Sequence, residues 1–283
     1  MPLSQAIVLA IVQGITEWLP ISSTAHLFLT RWLLGWPEPG LTFDVALHVG
    51  TLLSALIYFA PTWLRLVKVA LGGKVRISDE TAEHALRPDE TRQERLLLWF
   101  LMAATVPGAL AGVLLKKQVE STFRSAELMA WMMILVAFVM WWADRVATQR
   151  KSLSSVTLGD AMIIGVAQAA ALVPGVSRSG STISAALFCG LSRDAAARFS
   201  FLLSTPIIAG ASLIKAREVW QEGLAPEMRM PFLVGTVVSA IVGYAAIAGL
   251  VRYLRTRDLK IFVVYRVVFG IIILALVYFA HLR

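Results

Sequence analysis

A single cysteine, Cys189, stands in 283 residues, which excludes an intramolecular disulfide or a cysteine-built metal cluster. It lies in an apolar run, where packing is its expected role. Charge is also scarce: 16% of the residues are Asp, Glu, Lys or Arg, against about 25% in soluble domains. With 58% of the chain hydrophobic, a soluble globular domain is excluded and an integral membrane protein is implied. The opening MPLSQAIVLAIVQ has no basic leader ahead of its apolar run, so no cleavable signal peptide is expected. The net charge of +8 does not read as a nucleic-acid footprint. The Lys and Arg residues lie in short polar gaps between apolar runs, as in the cytoplasmic loops of membrane proteins.

The apolar runs follow a plan that recurs. Residues 3 to 19 predict a helix ending at Leu19-Pro20, and a second run covers about Thr24 to Leu34. Eleven residues reach only about 17 Å, too short for a hydrocarbon core of about 30 Å. The two runs therefore predict a re-entrant hairpin, followed by full spans at about 43–60, 96–115 and 127–143. The gap GGKVRISDETAEHALRPDETRQER between the first two spans predicts an exposed loop. A second broken pair at 159–173 and 180–190 precedes spans at about 194–214, 231–251 and 260–281. LTFDVALHVGTLLS at 41–54 aligns without a gap with LSRDAAARFSFLLS at 191–204, sharing an Asp and a terminal Leu-Leu-Ser. Less closely, Gln13 and Pro20-Ile21-Ser22-Ser23 correspond to Gln168 and Pro174-Gly175-Val176-Ser177.

The expected fold is thus an all-α membrane domain, with repeats at about 1–150 and 151–283. Each half holds one re-entrant hairpin and three transmembrane helices. Three crossings are odd, so the halves should be inverted and the hairpins should meet near the midplane. Basic residues concentrate in the 61–95, 144–157 and 252–260 gaps, which predicts that side to be cytoplasmic and the first hairpin to open outward.

Two stretches carry the chemistry. In PGVSRSGST, positions 174 to 182, Arg178 stands among hydroxyl donors at membrane depth. An isolated guanidinium there costs roughly 2.5 to 3.5 kcal/mol, so a partner or an anionic ligand is expected. A phosphate fits best, held by Arg178, Ser177, Ser179, Thr182 and the N–H groups of a helix start. In QGITEWLPISSTAH, positions 13 to 26, Gln13 and Glu17 share a helix face and Pro20 breaks the helix. Ser22, Ser23 and Thr24 follow as caps or phosphate donors, with His26 in the first turn beyond. Phosphoryl transfer needs charge neutralised and a nucleophile in line. Arg178 and the helix N-termini are expected to supply the first, with a divalent cation held by Glu17, and Ser23 or His26 the second, unless His26 acts as general acid or base. Asp44 and Asp194 read as helix caps and His48 as a packing residue.

QGITEWLPISSTAH and PGVSRSGSTIS resemble the two signature motifs of the bacitracin-resistance family of undecaprenyl-pyrophosphate phosphatases. The resemblance covers essentially the whole chain. It implies removal of the terminal phosphate of undecaprenyl pyrophosphate in the bacterial plasma membrane, giving the lipid carrier for peptidoglycan. It also implies dependence on a divalent cation, Mg²⁺ or Ca²⁺. On the matching positions it implies Glu17, Ser23, His26 and Arg178 as catalytic, with Glu17 also on the metal. Gln13, Ser22, Thr24, Ser177, Ser179 and Thr182 then contact substrate. Gln13 stands where the family pattern also has Glu, which leaves one carboxylate for the cation. A homodimer is compatible with the pattern. The competing reading is a secondary transporter or flippase of an anionic polyprenyl lipid, since broken helices bind such headgroups without chemistry.

Overall fold

A computed structural model describes residues 1–38, 40–71, 88–115 and 125–281. Among them every long element is helical: α1 (Leu3–Trp18), α2 (Ser23–Leu34), α3 (Leu41–Tyr58), α4 (Ala60–Ala70), α5 (Pro88–Leu114), α6 (Ala126–Val146), α7 (Leu158–Ala170), α8 (Arg178–Phe188), α9 (Arg193–Glu222), α10 (Pro226–Leu254) and α11 (Lys260–His281). Five helices have the length and hydropathy of membrane spans: α5 from Arg95, α6, α9 to Ile214, α10, and α11 to Phe279. Their large side chains face outward, as Leu110, Leu135, Phe138, Val264 and Ile271 do, and such a belt needs lipid around it. The chain is a multi-pass membrane protein.

The span expected at 43–60 is continued by a helix, α4, where a polar gap is expected from the sequence. The chain bends by 68° between α3 and α4. Pro61 lies in the first turn of α4, where its missing N–H costs nothing, so a new helix starts instead of a loop. Most of the gap expected as an exposed loop, 72–87, lies outside the described residues, as do Lys116, Lys117 and Arg124.

Helix α10 is the axis on which the first pair rests. Gly235, Ser239 and Gly243 repeat every four residues and present one smooth stripe. Gly50 of α3 approaches Ser239 and the Thr236 carbonyl so closely that any Cβ there would overlap them. Gly14 of α1 meets Val242 in the same way, at 2.8 Å from an added Cβ. Helices in lipid associate through close approach of this kind, because the apolar driving force of water is missing.

The two short pairs, α1–α2 and α7–α8, each return to the end from which they started. The Lys151 N–H donates to the Gly190 carbonyl at 3.0 Å, and Ser192 N–H donates to Lys151 O at 2.9 Å. These bonds clasp the chain before α7 to the chain after α8. Arg255, just past α10, lies 3.7 Å from Asp194, so this mouth is at the C-terminal end of α10. Met1 and Trp36, the two ends of the first pair, pack instead with Met228 and Phe232 at the N-terminal end of α10. Helix α10 has 29 residues and so spans about 43 Å, which puts the mouths at opposite ends of the bundle.

Candidate active site

Each short pair breaks at a Pro followed by a helix whose cap has an unusual backbone. Ser22 caps α2 at φ 74° and Ser177 caps α8 at φ 72°. Non-glycine residues seldom adopt this left-handed region, and they cluster where a site holds them there. Between Pro174 and Ser177 the chain also needs Gly175, at φ 92°, because a Cβ would strike the Met129 carbonyl. The Ser177 Oγ accepts from Gly180 N–H at 3.1 Å, a side-chain cap, whereas Ser22 makes no such bond. Both helix starts therefore point free N–H groups, with positive dipole ends, at the same region.

The breaks are joined by side chains. Arg178 Nη2 donates to Glu17 Oε1 at 3.1 Å across 161 residues of chain. Ser23 Oγ donates to Glu17 Oε2 at 2.6 Å, and Gln13 Nε2 donates to the same oxygen at 3.1 Å. The Arg178 guanidinium lies over the Trp18 ring at 5.3 Å from its centroid, and Nη1 reaches Ser200 O at 3.5 Å. Two of its five N–H donors are thus engaged and the others remain for a ligand.

Glu17, Ser23 and Arg178 border a cavity of about 350 Å³. Glu17, Ser22, Ser23, Thr24, Ser177 and Arg178 all face it, so six of the ten residues expected at the site share one wall. The other four lie behind that wall. Gln13 is fully buried against Glu17. Ser179 Oγ donates to Leu19 O at 3.0 Å, stitching the two breaks together. Thr182 Oγ1 donates to Arg178 O at 2.7 Å and lies 2.6 Å from Ser200 Oγ, which fixes the first turn of α8. His26 stacks on Phe269, with ring centroids 4.3 Å apart, and both of its nitrogens are engaged. Nδ1–H donates to Ser22 O at 2.7 Å, so Nε2 accepts from the Tyr265 hydroxyl at 2.6 Å.

A family model described as Bacitracin resistance protein BacA matches residues 6–272. The undecaprenyl-diphosphatase of Moorella thermoacetica is 45% identical over 275 residues, covering 97% of this chain and 98% of its own length. That of Trichlorobacter lovleyi is 47% identical over 277 residues, covering 98% of this chain and 97% of its own. That of Geobacter sulfurreducens is 45% identical over 276 residues, with 97% and 98% covered. The chain belongs to the BacA family.

In this member of the BacA family, three features of the site lie outside the two motifs. Arg266 is completely buried yet has no carboxylate partner among the described residues. Its Nη1 donates to Pro20 O at 3.1 Å, and Nη2 donates to Gly175 O at 2.9 Å and Val176 O at 3.2 Å. Nε and Nη2 also reach Met133 O and Met132 O on α6, at 3.1 and 3.3 Å. One side chain thereby satisfies carbonyls that both breaks would leave bare in a membrane. An arginine inside a span was the available signal, the same rule that marked Glu17.

His48 also departs from its expected packing role. It lines the cavity, and its Nδ1–H donates to Asp44 O at 2.7 Å, which leaves the Nε2 lone pair without a partner among the described residues. The two aspartates likewise are not caps. Asp44 pairs with Arg31 at 3.3 Å at the cavity rim, and Asp194 pairs with Arg198 at 2.9 Å. The caps of their helices are Gly40 and Ser192.

No group of three or more His, Cys, Asp or Glu that could hold a metal ion occurs among the described residues. Gln13 Oε1 is buried beside Glu17 with no hydrogen-bond partner among the described residues. Glu17 alone of the two borders the cavity, so a hard cation there would lean on that carboxylate and take its remaining ligands from phosphate and water.

Proposed function

We propose that the chain is an undecaprenyl-diphosphatase, hydrolysing the terminal phosphate of undecaprenyl diphosphate to leave the monophosphate lipid carrier. The observation that carries this is the Arg178–Glu17–Ser23 chain across the two breaks, facing one cavity. Family membership and relatives of that name over almost the full length support it.

In the proposed reaction Arg178 and the N–H groups at the starts of α2 and α8 neutralise the terminal phosphate. Ser23 Oγ attacks phosphorus as its proton passes to Glu17 Oε2. The P–O bond to the inner phosphate breaks, and its electron pair leaves on undecaprenyl phosphate. Water then attacks the phosphoserine, the P–Oγ bond breaks, and the Glu17 proton returns to Ser23. The unpaired Nε2 of His48 accepts the water proton. Ser23 is favoured over His26 because it borders the cavity, whereas both His26 nitrogens are already bonded. His26 then holds the turn after Ser22. Glu17 would hold a divalent cation, which would supply charge neutralisation at the phosphates. Purified protein should release phosphate from undecaprenyl diphosphate, and chelator should suppress the rate. Absence of phosphate release with lipid movement across liposomes would replace this reading by a flippase.

We also propose that residues 1–150 and 151–283 are inverted repeats in a bacterial plasma membrane, with the site open to the outer side. The opposite mouths of the two short pairs support the inversion. Ser212, on the cavity wall, lies 18 residues along α9 from Asp194. It is therefore about 27 Å from the end rich in Arg252, Arg255 and Arg257. In a Cys189→Ala background, Ala225→Cys, after the first span of the second half, should react with an impermeant thiol reagent on intact cells, and Asp79→Cys, after the first span of the first half, should not. Equal labelling of both would overturn the inversion.

A further inference from the structure

We propose that Gln168 and Ser212 form a second polar subsite, which binds the phosphate that stays on the lipid. The inference rests on the diphosphatase reading above. Gln168 is 3% exposed and Ser212 is 8% exposed. Neither the amide nitrogen and oxygen of Gln168 nor the hydroxyl of Ser212 has a hydrogen-bond partner among the described residues. Both side chains border the cavity that holds Arg178 and Ser23. Unpaired polar groups are costly inside a protein, so a ligand that pairs them binds favourably.

A comparison within the chain explains why the Gln168 amide is free. Gln13 occupies the corresponding place on α1, and its amide donates to Glu17, one turn further on. One turn beyond Gln168 stands Leu172, which accepts nothing. The amide therefore keeps two N–H donors for whatever enters the cavity, and Ser212 adds one O–H.

The surroundings and the charge of these donors select the inner phosphate. Around them the wall is apolar: Leu172, Ile207, Ile208 and Ala211. A lipid diphosphate presents, in order, a doubly charged terminal phosphate, a singly charged inner phosphate and a hydrocarbon chain. The cationic Arg178 and the helix starts match the first, neutral donors set in an apolar wall match the second, and the apolar wall itself matches the chain. The subsite would thus distinguish a lipid-linked diphosphate from free inorganic phosphate.

Gln168→Leu and Ser212→Ala test this in the full chain, purified in detergent, with undecaprenyl monophosphate and inorganic phosphate as separate ligands. Loss of a hydrogen bond to a charged group predicts that Gln168→Leu weakens binding of the monophosphate, and raises KM for the diphosphate, by about ten-fold. Ser212→Ala should shift both in the same direction by less. Inhibition by inorganic phosphate should not change, and Gln168→Leu should melt no lower than the parent, because it removes an unpaired buried group. Unchanged monophosphate binding would overturn the subsite, as would a lower melting temperature accompanied by equal weakening of both ligands. If the parent protein hydrolyses no diphosphate but Gln168→Leu still weakens the monophosphate, the subsite stands and the hydrolase reading falls.

Discussion

Arg178→Ala should lower kcat/KM for undecaprenyl diphosphate by about three orders of magnitude, or about 4 kcal/mol, as loss of a dominant charge-stabilising group does. The substitution acts twice. It removes the only guanidinium that borders the cavity among the described residues, and it strands Glu17, which is 8% exposed. Removing one partner of a buried ion pair is itself destabilising, by about 3–5 kcal/mol. Glu17 keeps two other donors, Ser23 and Gln13, so the loss should fall toward the lower end of that range. The activity loss should therefore exceed what any fall in folded fraction explains, which melting curves on the same samples will separate. Arg178→Lys should recover little. A point-charge ammonium cannot serve Glu17, the Ser200 carbonyl and a phosphate at once, nor stack on Trp18 as the guanidinium does. Parent-like activity in the Lys variant would mean that net charge alone suffices.

Ser23→Ala should reduce kcat by about two to three orders of magnitude with KM nearly unchanged, because the hydroxyl acts in the transition state. The change removes one hydroxyl, and its loss leaves Glu17 with Arg178 and Gln13. Combining it with Glu17→Gln should cost little more than the poorer single variant, since the two groups act as a unit. His26→Ala should differ in kind. It opens the stack on Phe269 and frees Tyr265 and the Ser22 carbonyl, so melting temperature and kcat should fall together. Quenching turnover with denaturant at mildly alkaline pH, where phosphoserine and phosphohistidine both survive, should trap phosphate on Ser23 in the parent protein and none in Ser23→Ala. Phosphate trapped on His26 would transfer the nucleophile to the imidazole.

Much of this site could be read along the chain because membrane depth makes polarity conspicuous. Glu17 and Arg178 stand in apolar runs, where an ionisable group needs a reason, and Pro20 and Pro174 mark the breaks beside them. The spans at 127–143, 194–214, 231–251 and 260–281 were legible for the same reason, and α6, α9, α10 and α11 contain them. The α3–α4 bend was not, because the amphipathic run after Pro61 has the composition of a polar gap and the helix of a surface-lying segment.

Other assignments turned on partners that no local pattern names. His48 and His26 are each a histidine one turn from a backbone carbonyl. Helix packing alone put Tyr265 against the second and open cavity beside the first. Arg266 reaches Pro20 O across 246 residues. Hydropathy and helix-breaking residues act over a few positions, so the chain's order of residues dictated the spans, the breaks and the kinds of group at them. Which donors meet which acceptors depends on how helices cross hundreds of residues apart, and close packing along the small-residue stripe of α10 settled that.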